Sequence, residues 1–72
     1  VTYYIGHLWI GERGTPEHHR FASTMRERTP AQAERLKREL MEAMGDGESG
    51  ITHWELYKIS DGEPFLLASA ND

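Results

Sequence analysis

Large apolar residues occupy both alternations of one short segment, YYIGHLWIG from Tyr3 to Gly11. Successive side chains of a strand point to opposite faces, so a half-buried strand should be apolar at every second position only. Here Tyr3, Ile5 and Trp9 share one alternation, while Tyr4, Leu8 and Ile10 share the other. The pattern predicts a strand over 2–12 with apolar groups on both sides. HHRFASTMRE follows after RGTP, whose Gly14 and Pro16 suit a turn, so residues 17–27 are expected to return antiparallel beside the first strand. With Glu12 facing Glu17, Trp9 lies opposite Arg20, Leu8 opposite Phe21, His7 opposite Ala22 and Tyr4 opposite Met25. One face then carries Tyr4, Leu8, Ile10, Phe21 and Met25. The other carries Tyr3, Ile5, His7, Trp9, Arg20, Ala22, Thr24 and Arg26.

The period changes after Thr29. Thr29 as N-cap, Pro30 at the first helical position and Gln32 completing a capping box are three agreeing start signals. Ala33, Leu36, Leu40 and Ala43 or Met44 then recur at spacings of three and four, with Glu34 to Arg38 and Arg35 to Glu39 as outward charge pairs. Gly45 suits the residue after the helix, and GDGESG cannot continue it. The helix is therefore predicted over 30–44, followed by a linker. Two more strands, 51–60 and 64–70, flank Asp61-Gly62, a strong tight-turn signal. Trp54 and Leu56 are expected to align with Phe65 and Leu67, while His53, Glu55, Tyr57 and Ile59 face the other way with Leu66 and Ala68.

The resulting order, ββαββ, is an α+β fold in two layers. A crossover from the second strand to the third can lay the third antiparallel beside the first, giving a four-stranded antiparallel sheet ordered 2-1-3-4 with one helix on one face. The expected core is Tyr4, Leu8, Ile10, Phe21, Met25, Trp54, Leu56, Phe65 and Leu67 beneath Ala33, Leu36, Leu40 and Met44. A helix of about 15 residues is roughly 22 Å long and 10 Å wide, too small to cover both faces. The second face is left open, with Tyr3, Ile5, Trp9, Tyr57, Ile59 and Leu66 on it, more contiguous apolar surface than a small monomer usually exposes.

Composition sharpens this picture. The 72 residues allow one domain with one small core, and the absence of cysteine removes disulfides and thiolate metal clusters as staples. Stability must then come from packing or association. No apolar run approaches a membrane span, and VTYY lacks the pattern of a secretory leader, so a mature N-terminus and a cytoplasmic location are expected. Six arginines against two lysines point to a GC-rich coding source. The net charge of −4 opposes indiscriminate polyanion binding, although residues 1–30 sum to +1 because four arginines outweigh three glutamates.

The candidate chemistry is sparse. His18 and His19 point to opposite faces if they lie on a strand, and His7 with His53 would make an incomplete zinc site. The serines, Ser23, Ser49, Ser60 and Ser69, have no activating neighbours, and Glu55 beside His53 on one face is a common surface pairing. GDGESG lacks the strand before it and the Lys-Ser or Lys-Thr after it that a phosphate loop needs. No catalytic residue, cofactor or metal is therefore expected. The interaction face is assigned to Tyr3, Ile5, His7, Trp9, Arg20, Arg26, His53 and Tyr57, with Trp9 on Arg20 and Tyr3 on Arg26 as candidate stacked pairs. The expected role is a non-enzymatic protein-interaction module, closing on a second copy of itself or serving as an accessory subunit of another protein. His7 and His53 would make that association pH-sensitive. Single-stranded nucleic acid stacked on Tyr3, Trp9 and Tyr57 beside the arginines is the alternative.

Overall fold

The computed structural model describes residues 1–12 and 19–71. The predicted turn at 13–16, the start of the second strand at 17 and His18 lie outside them. The elements are β1 (Thr2–Ile10), β2 (Arg20–Glu27), α1 (Pro30–Asp46), β3 (Ile51–Ser60) and β4 (Glu63–Asn71). They form a four-stranded antiparallel sheet in the order β2-β1-β3-β4, with α1 packed over the two central strands. This is the α+β, ββαββ arrangement that the sequence pattern predicts.

The local signals act as their chemistry requires. The Thr29 hydroxyl accepts from the Gln32 N–H at 3.2 Å, and the Gln32 side chain accepts from the Thr29 N–H at 3.1 Å, closing the capping box. Asp61 and Gly62 both have positive φ, 50° and 84°, in the two-residue turn that joins β3 to β4. At its other end α1 runs past the predicted stop at Gly45 to Asp46. Gly47, with φ 78°, takes the left-handed cap instead. The Ser49 hydroxyl donates to the Ala43 carbonyl and accepts from the Ile51 N–H, satisfying a helix-end acceptor while starting β3. On the outer helix face Arg35 pairs with Glu39 as expected, whereas Glu34 meets Lys37 rather than Arg38.

The registers differ from the predicted ones because each strand pair contains a bulge and because the pairing beside the turns is itself offset, with Phe21 rather than Arg20 opposite Trp9 and Lys58 opposite Phe65. Between β1 and β2, Leu8 pairs with Ser23 and Trp9 with Phe21, so Ala22 is the extra residue. Between β3 and β4, Leu56 pairs with Ala68 and Tyr57 with Leu66, so Leu67 is extra. Between β1 and β3 the extra residue is Thr52. An inserted residue moves everything beyond it to the opposite face. Phe21, expected in the core, therefore stands on the open face, and Ala68 and Ala70 replace Phe65 and Leu67 beside Leu56 and Trp54. Strand β1 ends at Ile10 rather than residue 12, and Ile10 is half-buried at the sheet's end beside Ile51.

The core that results is Leu36, Leu40, Trp54 and Leu56, with Leu8, Met25, Met44, Ile51, Ala68 and Ala70 packed around it. Tyr4 and Ala33 are buried as well. Gly6 lies beneath the helix on β1: a Cβ placed there would stand 2.9 Å from Leu36 Cδ2 and 3.3 Å from Met25 Cε. Both contacts are ends of flexible side chains, which can yield to one methyl but not to a branched group. Gly6→Val is therefore expected to lower stability by about 1 to 3 kcal/mol through overpacking, read as a lower urea midpoint at unchanged slope.

Candidate functional site

The sheet registers arrange the face away from α1 as a grid. Reading from β2 through β1 and β3 to β4, one row is Phe21, Trp9, His53 and Asn71, and the next is Thr24, His7, Glu55 and Ser69. The third is Arg26, Ile5, Tyr57 and Leu66, and the last joins Tyr3, Ile59 and Pro64. A polar row is thus enclosed between aromatic and aliphatic ones. No element among the described residues covers this face.

The aromatic rings pack mostly edge to face. Trp9 lies 4.7 Å from the His53 ring centre and 5.5 Å from Phe21, and His7 lies within 6.2 Å of Trp9, Phe21 and Tyr57. Trp9 is therefore the link between the two histidines. The Trp9–Phe21 pair adds about 0.5 to 1.5 kcal/mol beyond simple burial. Together with Ile5, Ile59, Pro64 and Glu55, the rings His7, Trp9, Phe21 and Tyr57 line a shallow depression of about 410 Å³.

Glu55 is the polar centre of the depression. Its Oε1 accepts from the Tyr57 hydroxyl at 2.9 Å, and its Oε2 lies 3.1 Å from His53 Nε2. His53 Nδ1 in turn lies 2.9 Å from the Ala70 carbonyl oxygen. A carbonyl and a carboxylate both only accept, so both contacts are hydrogen bonds at once only when the ring carries a proton on each nitrogen. His7 Nδ1 is 3.0 Å from Thr24 Oγ1 along the same polar row. The carboxyl of Glu55 is held below its ordinary value of 4.5, chiefly by the His53 hydrogen bond. Burial opposes this, while the Tyr57 hydroxyl and the charges of His53 and His7 add to it. The Tyr57 hydroxyl is pushed above 10.0 because it donates to Glu55, and burial and the carboxylate charge add to the rise.

These two shifts fix a stability window. A depressed carboxyl contributes above its unfolded pKa and loses that contribution as pH falls through its folded one. A raised phenol contributes below its unfolded pKa and loses that contribution as pH rises through its folded one. The cluster therefore stabilises the fold most between 4.5 and 10.0. Glu55→Gln is expected to lower the urea midpoint within that range and to match the wild type in strong acid; a difference that persists there would locate the effect somewhere other than the Glu55 charge.

Of the residues assigned from sequence, Tyr3, Ile5, His7, Trp9, His53 and Tyr57 share this face, and the Arg26 guanidinium lies 4.1 Å from the Tyr3 ring centre, as the stacked-pair expectation requires. Arg20 does not join them. The bulge at Ala22 pairs it with Ile10, on the other alternation, where it lines a separate groove with Gly11, Glu12 and Gly50. The pairing of Trp9 with Arg20 is replaced by Trp9 with Phe21. The sequence reading missed Phe21 and Pro64 as members of the face and gave Glu55 no central role.

Among the described residues no three potential metal ligands gather, and no helix is long and apolar enough to cross a membrane. No protein-family model matches the chain, and no similar curated protein or solved structure is found.

Proposed function

We propose that this protein is a non-enzymatic interaction module whose working surface is the uncovered sheet face, closing on a second copy of the chain. The observation that carries the reading is the grid itself: aromatic and aliphatic rows flank one polar row on a face that α1 leaves bare. The face spans four strands of eight to ten residues, roughly 30 Å along the strands and 15 Å across them. A second copy is the occupant that also relieves the small core, since folding and association then reinforce one another.

Closure over a lone carboxylate would strand a charge in a dry contact, at a cost of several kcal/mol. Glu55 avoids this, because both its oxygens are already engaged by His53 and Tyr57. The same group weighs against nucleic acid. Phosphates would approach a carboxylate, Arg20 faces away, and Arg26 already occupies the Tyr3 ring that a base would need. Attachment to a larger protein as an accessory subunit uses the same face and differs only in the partner.

The test is the solution mass of wild type and Phe21→Glu by sedimentation equilibrium. A dimeric wild type and a monomeric variant, both folded, are expected; a wild type that is monomeric at every concentration overturns self-association.

A further inference from the structure

Rings wall the depression on the open face, and its fixed charge is negative. Among the described residues that line it, Glu55 is the one carboxylate and none is a lysine or arginine. The other titratable or charged groups on this face are His7, His53, Tyr3, Tyr57 and Arg26, and β4 adds none. Arg26 is already taken up by the Tyr3 ring, 4.1 Å from its centre. That pair shows a cation resting on an aromatic ring of this same face. The Glu55 side chain keeps 27% of its surface exposed, so the carboxylate is not sealed beneath the rings.

The shape of the walls narrows the ligand. Across the pairs His7 with Trp9, His7 with Phe21, His7 with Tyr57 and Trp9 with Phe21, the ring planes are inclined by 56 to 76°. Such rings make steep walls rather than one flat platform. A nucleobase needs the platform, whereas a rounded cation touches ring surface from several sides, which is how aromatic cages hold alkylated ammonium groups. Glu55 narrows it further, because its two oxygens already accept from Tyr57 and face His53. The hollow thus offers negative charge more than a free, directed acceptor. An ammonium with several N–H groups asks for acceptors, while an alkylated one presents C–H surface and asks for none. With a single proton on the His53 ring, the charge of Glu55 has no opposite beside it, and a bound cation supplies one.

We infer that the depression is a binding site for a small organic cation bearing an alkylated ammonium group, seated against Trp9, Phe21 and Tyr57 with Glu55 as its counter-charge. The volume of about 410 Å³ lies within the range of small-molecule sites, about 300 to 1,000 Å³. A phosphate on the same ligand would find no lysine or arginine in the lining, so a free cation fits and a phospholipid headgroup does not. The inference shares with the proposed function the reading of this face as the working surface, but it needs no second copy. Because Phe21 and Trp9 would serve both, the cation and a second copy compete for them.

Choline is the probe, followed by two-dimensional NMR at about pH 8, where histidine side chains are ordinarily neutral. Sodium chloride controls for ionic strength, and dimethylbutanol, the uncharged carbon isostere of choline, controls for shape. Choline should move the Trp9 indole and His7 ring signals saturably and leave the buried Trp54 indole in place. It should bind about tenfold more tightly than the isostere, and about tenfold less tightly to Glu55→Gln than to the wild type. The comparison of the two ligands on the wild type needs no variant, so poor folding of Glu55→Gln does not blunt it. Equal binding of choline and its isostere, or no saturable shift at Trp9, overturns the inference. Tighter binding of phosphocholine than of choline overturns the free cation as the ligand. Sedimentation equilibrium keeps the two readings apart: a monomeric wild type that binds choline supports the cation site and removes self-closure, and a dimer that choline dissociates supports both. A dimer that binds choline at unchanged mass overturns the competition.

Discussion

Trp54→Ala is expected to leave the chain largely unfolded without denaturant. Trp54 is 2% exposed, sits between Leu8 and Ala70 in the sheet, and belongs to the cluster formed with Leu36, Leu40 and Leu56. Removing a buried tryptophan side chain costs about 3 to 5 kcal/mol, since the lost transfer free energy adds to that of the cavity left behind. A core in a domain of this size rarely supplies more than about 3 to 5 kcal/mol in total. The loss therefore matches the whole reserve, and near-ultraviolet circular dichroism should show the fixed aromatic environment gone. Trp54→Phe is the informative companion. It keeps a ring in the cluster and deletes an indole N–H that has no hydrogen-bond partner among the described residues, so the smaller ring is offset by relief of a buried donor. Its urea midpoint should fall far less than that of the alanine variant, by the equivalent of about 1 kcal/mol or less. Equal losses in the two would mean that the indole's outer ring, rather than general aromatic bulk, holds the core together.

The helix start and the Asp61-Gly62 turn were legible because each rests on a local rule: a capping box, a proline at the first turn, a residue pair suited to positive φ; the strand order followed from the crossover between the two hairpins. The single-helix cover followed from dimensions alone. What the pattern could not carry was register. A bulge is one residue with no compositional mark, and the three at Ala22, Thr52 and Leu67 sit in ordinary strand sequence. Strict alternation therefore put Phe21, Phe65 and Leu67 in the core and Arg20 on the face, where the folded chain exchanges them for Ala68, Ala70 and Phe21. Glu55 was visible as a neighbour of His53. Its bond to Tyr57 joins residues two apart on one face of β3, whereas its place opposite His7 depends on the register of β1 against β3, which is settled by long-range pairing.

Phe21→Glu should weaken association by about thirtyfold or more while barely altering the fold of the separate chain. The two halves of that expectation have different causes. Phe21 is 55% exposed on edge strand β2, and its contacts are the rings of Trp9 and His7 rather than the core, so the free chain loses little when it is replaced. Substitutions at such positions usually stay within about 0.5 kcal/mol apart from specific contacts, and one ring pair adds about 0.5 to 1.5 kcal/mol. Across a closed face the same residue would be an aromatic anchor, and truncating an anchor costs about 2 kcal/mol or more, equivalent to at least a thirtyfold rise in Kd. The carboxylate adds a second penalty, because it would enter a dry contact beside the Phe21–Trp9–His53 row with Glu55 already committed to His53. Phe21→Leu is the control: it keeps apolar bulk without charge and should lose less affinity than the glutamate variant. If the glutamate variant associates as tightly as the wild type, the open face takes no part in the contact.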